Sequence, residues 1–254
     1  MLFRSNFHLV DYVFNLACPA SPVQYTKYAI DTMKACSDGL YKLLTYCQHY
    51  DVPMFHSYTS EVYGDPIESP QMEIHSGMVN SYGPRSCYDC GKQYAEALCY
   101  EFAKYGCKIH LGRIFNSYGT YMSADDGRVV SEFINKALKG EDLIIYGDGN
   151  TTRSFCYVDD LISGVTSLMK LSRNPETPIN LGNPSETDMN SLANLIITMS
   201  GSSSTIEFQE LPSDDPQQRK PNIHKAETIL GWHPQTSLEV GLKNTLGYFR
   251  EILT

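Results

Sequence analysis

PRSCYDCGKQYAEALCYEFAKYGCKIHLGRIF, residues 84–115, decides the fold class. Ala95, Leu98, Cys99 and Phe102 recur at i, i+3, i+4 and i+7, the spacing of a helix with one buried stripe. That spacing predicts a helix from Pro84 to Tyr105, stopped by Gly106. Lys108–Phe115 (KIHLGRIF) follows at once and reads as a short apolar strand. A helix feeding a buried strand is the repeating unit of a parallel sheet covered on both faces.

The same alternation extends outward. Upstream, Asp11–Ala17 (DYVFNLA) reads as a buried strand, Ala29–Gln48 as a helix and Pro53–Ser57 as the next strand. Beyond Asn116, Gly and Asp interrupt shorter elements. These are a helix near Arg128–Leu138, a strand at Leu143–Tyr146, a helix after a cap at Asp159, another after Asp188, and a last one capped by Ser237 and running to about Leu253. Glu210–Asn222 (ELPSDDPQQRKPN) has no apolar period and reads as a loop. There are no internal repeats or low-complexity tracts. The expected fold is α/β, with residues 1–117 forming most of a sheet domain that carries the helix quoted above. Residues 118–254 form a smaller lobe with some segments returning to the sheet.

Composition narrows the function. The 254 residues are 42% apolar and 19% charged, ordinary values for a globular protein. A net charge of −9 argues against nucleic acid as a partner, because that needs basic surface to displace counterions. No run reaches the roughly 18 apolar residues of a membrane helix. MLFRSNFHLVDYVFNLA lacks the pattern of a signal peptide, so a cytoplasmic protein without membrane partners is expected. The eight cysteines are then reduced thiols rather than a disulfide framework. Cys87 and Cys90 form a CxxC with no second pair at ligand spacing, and no metal is expected. The seven His are scattered and read as surface or core residues.

Tyr88 and Lys92 stand at i and i+4 and therefore share one helix face. An ammonium near a phenol favours the phenolate and lowers its pKa, which suits a base that takes a proton from a sugar hydroxyl. YxxxK alone is a weak signal in a chain with 18 Tyr. Thr59-Ser-Glu-Val-Tyr-Gly64 strengthens it, because it follows the strand Pro53–Ser57 at the sheet edge where open α/β folds bind ligands.

A series of phrases then occurs in one order: LACPASP (16–22), TSEVYGDP (59–66), the YxxxK helix, RIFNSYG (113–119), DDGRVVSEF (125–133), YGDG (146–149), TRSFCYVDDL (152–161), NLGNP (180–184) and DDPQQRKPNI (214–223). In this the chain resembles the UDP-glucuronate decarboxylase (UDP-xylose synthase) branch of the extended short-chain dehydrogenase/reductases, the NAD-dependent epimerase/dehydratase family. The resemblance implies a Rossmann-like doubly wound parallel sheet with a small C-terminal substrate-binding lobe. It implies a lyase of nucleotide-sugar metabolism that uses NAD to convert UDP-glucuronate to UDP-xylose through a 4-keto intermediate, the ketone serving as electron sink when CO₂ leaves. It assigns Tyr88 as acid/base and Lys92 as its partner. Thr59 and Ser60 would bond the reacting hydroxyl, while Glu61 and Arg219 would position the carboxylate-bearing ring and assist protonation. Leu16, Ala17, Tyr88 and Lys92 would meet NAD. Tyr25, Asn116, Arg128, Tyr146, Arg153 and Arg219 would meet the UDP-sugar, Arg128 and Arg153 at its diphosphate. Arg173 and Arg250 match nothing and read as solvated charges. A homodimer, or pairing with a full-length homologue, is implied through the helices near Ala29–Gln48 and Pro84–Tyr105.

The chain also departs from that family. GxxGFxG, the turn that cradles the NAD pyrophosphate at a helix N-terminus, is not in the sequence. The first matching residues, near Phe7, correspond to the approach to the family's fourth strand, so about two βα units, roughly 60 residues, have no counterpart. The sheet is therefore expected to be incomplete, with Asp11–Ala17 as a long apolar edge. A truncated enzyme, a non-catalytic paralogue that binds UDP-sugar or pairs with a full-length enzyme, and a 4,6-dehydratase or 4-epimerase all remain open. Cys36, after Lys34-Ala35, stands where the family has Asn, and Cys90 replaces an acidic residue before Gly91-Lys92.

Overall fold

The computed structural model describes residues 10–172, 175, 177–210 and 218–253. In chain order its elements are β1 (Val13–Asn15), α1 (Pro22–Lys27), α2 (Ala29–Lys34), a π-helical turn (Ala35–Gly39), α3 (Leu40–Tyr50), β2 (Met54–Thr59), a 3₁₀ turn (Ser60–Tyr63), α4 (Ser86–Lys104), β3 (Ile109–Ile114), β4 (Ser117–Tyr118), α5 (Val129–Lys139), β5 (Leu143–Tyr146), β6 (Thr152–Ser154), β7 (Cys156–Tyr157), α6 (Val158–Met169), β8 (Ile179–Leu181), β9 (Glu186–Asp188), α7 (Met189–Ser200), β10 (Ile206–Gln209), α8 (His224–Leu230) and α9 (Leu238–Leu253).

β1, β2, β3 and β8 form a four-stranded parallel sheet in that order. The sequence makes β2 a central strand, because its alternate residues feed two different cores. Met54 and Tyr58 pack with Leu40 and Leu44 of α3 and Ala95 and Cys99 of α4 on one face. Phe55 points the other way, into a cluster with Leu161 and Leu168 of α6, Ala226 of α8 and Trp232. A third core joins α5, α7, α9 and β5 around Phe133, Ile134, Leu192, Ile196, Leu246 and Phe249. Strand β8 lies far along the chain yet pairs with β3 at the end of the first sheet.

Several boundaries differ from expectation for identifiable reasons. The strand expected over Asp11–Ala17 pairs only at Val13–Asn15, and Tyr12, Phe14 and Leu16 around it are exposed. The helix expected over Ala29–Gln48 is interrupted by the wider turn at Ala35–Gly39, which buries Cys36. It is also preceded by α1, which the sequence reading did not predict: Ser21 Oγ accepts from Gln24 N–H, and Pro22 occupies the first turn. Asp159 is not the cap of α6; Tyr157 holds that position and Asp159 lies in the first turn. Asp188 and Ser237 do cap, accepting from Ser191 N–H at 2.8 Å and Val240 N–H at 3.3 Å. Arg250 is not simply solvated: its Nη2 donates to the carbonyl of Ser200 at 3.0 Å, at the C-terminus of α7. Arg173 lies outside the described residues, as do 211–217 of the loop expected over Glu210–Asn222.

Candidate active site

The site begins where β2 ends. Thr59 leaves the strand with extended backbone, and its Oγ1 accepts the Glu61 N–H at 3.2 Å, turning the chain into the 3₁₀ turn. The turn closes at Gly64, whose φ of 59° suits a residue without Cβ. A Cβ there would stand 1.8 Å from the Met78 carbonyl oxygen, so a side chain is excluded by space as well as by backbone. Thr59, Ser60 and Glu61 are thus presented at the C-terminal edge of the sheet.

Glu61 is gripped by two guanidinium groups. Its Oε2 accepts from Arg85 Nη2 at 2.5 Å and from Arg219 Nη2 at 2.7 Å. Burial pushes the Glu61 carboxyl up, but Arg219 and Arg85 outweigh it and hold the group below the usual carboxylate range. Arg219 is 2% exposed; its Nη1 donates to the Ser60 carbonyl at 2.8 Å, while its Nε is buried with no hydrogen-bond partner. What fixes Arg219 is the end of the expected loop. The Lys220 N–H donates to Gln71 Oε1 at 2.7 Å, the Asn222 N–H to the Gln71 carbonyl at 2.9 Å, and Ser154 Oγ to the Arg219 carbonyl at 3.1 Å.

Tyr88 and Lys92 lie on the buried face of α4, and both reach the same cavity. The Lys92 ammonium donates to the Ser57 carbonyl at 3.0 Å and stands 5.6 Å from the Tyr88 ring centre. Tyr25 stacks on Tyr88, centroids 4.7 Å apart and planes 13° from parallel, with its hydroxyl buried and unpartnered. The expected acidification of Tyr88 is not found. Burial pushes its phenol well above the ordinary value, the hydrogen bond with Thr59 offsets only part of this, and Cys18 and Glu61 push the same way as burial. In the ligand-free cavity burial thus favours the phenol form of Tyr88.

The cavity encloses about 1140 Å³ between the sheet edge and residues of α5, β5 and β6. Leu16, Tyr25, Thr59, Ser60, Glu61, Tyr88, Lys92, Asn116, Arg128, Tyr146, Arg153 and Arg219 all line it. Ala17 is not part of the lining; its N–H is turned to Asn15 Oδ1 at 3.2 Å. Arg128 is held by Asp126, Nη2 to Oδ1 at 3.2 Å, and Asn116 Nδ2 donates to the Ser154 carbonyl at 3.3 Å. Arg153 and Arg219 meet through a backbone bridge between β6 and the segment before Pro221.

Sequence reasoning missed Arg85 and Asp89. Arg85 precedes α4, lies within 5.9 Å of the Tyr25 ring centre, and is 3.6 Å from Asp89 Oδ2. Burial, with the Glu61 charge beside it, pushes Asp89 up to about 7 against the pull of Arg85 and Arg219. The available signal was position: Arg85 stands three residues before Tyr88, and residues three apart are helix neighbours.

Residues 3–182 match the model of the NAD dependent epimerase/dehydratase family. The chain belongs to that family. Among its relatives, UDP-glucuronic acid decarboxylase 1 of Xenopus tropicalis is 46% identical over 245 residues, 96% of this chain and 58% of that protein. UDP-glucuronic acid decarboxylase 3 of Arabidopsis thaliana is 45% identical over 234 residues, 92% of this chain and 68% of its own length. The chain thus spans little more than half the length of the first of these. Among solved structures, the UDP-glucose 4-epimerase of Thermotoga maritima superposes with a TM-score of 0.88 at 30% identity, covering 96% of this chain and 78% of that one. The UDP-glucuronic acid 4-epimerase of Bacillus cereus, in complex with UDP-glucuronic acid and NAD, gives 0.84 at 27% identity over 96% and 76%. The four parallel strands with helices on both faces are a part of the Rossmann-type sheet of this family.

Proposed function

We propose that the chain carries the chemistry of NAD-dependent decarboxylation of UDP-glucuronate to UDP-xylose through a 4-keto sugar. The observation that carries this reading is Arg219: a buried guanidinium with a spare Nε–H, clamped to Glu61 in the cavity that holds Tyr88 and Lys92. A planar fork is suited to grip a sugar carboxylate. Residues 118–254 supply most of the sugar-nucleotide wall, and Arg128 and Arg153 the charge for the diphosphate. Tyr88, bonded to Thr59, would take the proton from the C4 hydroxyl and return it, its phenolate form favoured by the Lys92 ammonium and by the positive charge that NAD brings when bound. Glu61, held by two arginines, would guide the proton that replaces the carboxylate at C5. NAD, when bound, would supply the acceptor for the C4 hydrogen and give it back. The nicotinamide-ribose end fits the residues present, since Lys92 opens to the cavity and an ammonium has three donors of which Ser57 takes one. The pyrophosphate end has no glycine-rich turn in this sequence.

A second reading is that the chain binds UDP-sugar without turnover or pairs with a full-length homologue. The experiment is incubation of the purified chain with UDP-glucuronate and NAD, alone and with a full-length relative. UDP-xylose and CO₂ from the chain alone, abolished in Tyr88→Phe, support the first reading; UDP-glucuronate binding without product supports the second. The relatives' names favour decarboxylation over 4-epimerisation or 4,6-dehydration, and the product decides. We also propose dimerisation through α2–α4, where Ile30, Met33, Tyr41, Tyr94 and Tyr100 are exposed, measurable by sedimentation. The eight free cysteines support a reducing, cytoplasmic setting. Among the described residues no helix is long and apolar enough to cross a membrane.

A further inference from the structure

Two sulfur atoms face each other in the cavity wall. Cys18 Sγ, on the loop after β1, lies 3.7 Å from Cys36 Sγ, in the π-helical turn between α2 and α3. Cys18 lines the cavity and is partly exposed, whereas Cys36 sits behind it at 2% exposure. The turn brings Cys36 against α4 at Gly91, where a Cβ would stand 3.4 Å from the Cys36 sulfur. Gly91 therefore leaves the room in which the two thiols meet, next to Lys92.

We propose that Cys18 and Cys36 form an oxidisable dithiol site, with Cys18 the thiol that meets a peroxide and Cys36 the thiol that resolves it into an intramolecular disulfide. Geometry sets the roles: the reagent reaches Cys18 from the cavity, and the Cys36 sulfur stands 3.7 Å behind it. A disulfide needs the sulfurs at about 2.0 Å, so each side has to give by less than an ångström. Electrostatics agree. The hydrogen bond from the Cys36 thiol and the Lys92 charge favour the Cys18 thiolate against burial, taking it down to about 7, while the same bond and burial push Cys36 up. The thiolate is the nucleophile of such chemistry.

The steps balance. The Cys18 thiolate attacks one peroxide oxygen, the O–O bond breaks, and hydroxide leaves to give a sulfenic acid. The Cys36 sulfur then attacks the Cys18 sulfur, the S–O bond breaks, and the Cys36 proton leaves with the hydroxyl group as water. Two thiols and one hydrogen peroxide become one disulfide and two waters. The sulfurs lose two electrons and the peroxide gains them.

The inference does not depend on the reaction catalysed, so it is tested by mass rather than by turnover. The purified chain is treated with dilute hydrogen peroxide at pH 7, unfolded, alkylated with iodoacetamide and digested. The expected result is a Cys18–Cys36 linked peptide that dithiothreitol releases, with the other six cysteines alkylated. In native protein, Cys18 should react with iodoacetamide on the order of tenfold faster than an unperturbed thiol. In Cys36→Ser, peroxide should leave Cys18 as sulfenic acid, trapped by a 1,3-diketone, or carry it on to sulfinic acid, seen as a gain of two oxygens in mass. Free Cys36 after peroxide treatment of the wild-type chain, or a link between any other pair, overturns the proposal. Because the wild-type map alone decides, a variant that fails to fold does not rescue it.

Discussion

Two arginines are buried against carboxylates in this molecule, and they are buried differently. Arg113 of β3 gives Nε and Nη2 to the two oxygens of Glu96 at 3.1 and 2.6 Å, and Nη1 to Tyr63 Oη at 2.8 Å and the Glu73 carbonyl at 3.0 Å. Its fork is closed on itself and its task is structural. Arg219 shares a single oxygen of Glu61 with Arg85 and keeps a buried Nε–H without an acceptor. Two positive charges face one carboxylate, and Asp89, pushed up to about 7, is only partly charged at neutral pH. The first assembly is complete, whereas the second waits for an anion. An acidic chain with a net charge of −9 thus builds a small positive site, and it is there that the proposed function would hold the sugar carboxylate.

The contrast breaks most sharply if the arginines are exchanged for methionine. Arg219→Met should weaken UDP-glucuronate binding by about 100-fold or more, because it leaves Glu61 and the ligand carboxylate together; calorimetry measures it, and Arg219→Lys should recover only part. Arg113→Met should instead lower unfolding stability by about 3–5 kcal/mol in denaturant titration, with the affinity of the folded fraction unchanged. Equal loss of affinity in both would erase the distinction. Asp89→Asn sharpens it through pH. A carboxyl whose folded pKa is raised stabilises the fold below about 4 and loses that contribution as pH climbs to about 7. Asp89→Asn should therefore gain on the order of 2–4 kcal/mol at pH 8 and almost nothing at pH 4, seen in thermal unfolding at the two values. Arg85→Met should release Glu61 from one partner and raise its carboxyl, weakening UDP-glucuronate binding about tenfold, with a steeper loss as pH falls. The smallest effect belongs to Arg250→Ala, which removes the bond to Ser200 at the end of α7 and should cost about 0.5–1 kcal/mol.

What was legible in the sequence follows from local geometry. The 3.6-residue period placed Tyr88 and Lys92 on one face of α4, and the end of a buried strand placed Thr59-Ser60-Glu61 at the sheet edge; both reach the cavity. The apolar run at Asp11–Ala17 was read too long because periodicity does not report where a neighbouring strand stops pairing. Arg85 was missed because its partner Glu61 is 24 positions away on another element. The acidity of Tyr88 was misjudged because one nearby ammonium was visible in the spacing, while the burial and the charges of Cys18 and Glu61 that outweigh it were not.

By itself, then, the sequence determined the alternation of strands and helices, the i, i+4 pair on α4 and the family to which those phrases belong, since each is written in a short window of chain. Only the tertiary structure decided that Arg219 crosses 158 positions to meet Glu61, that Cys18 faces Cys36, and that burial pushes the Tyr88 phenol up. The physical reason is range. Backbone periodicity and turn chemistry act over a few residues, whereas desolvation and charge pairing depend on which distant side chains packing brings within a few ångströms.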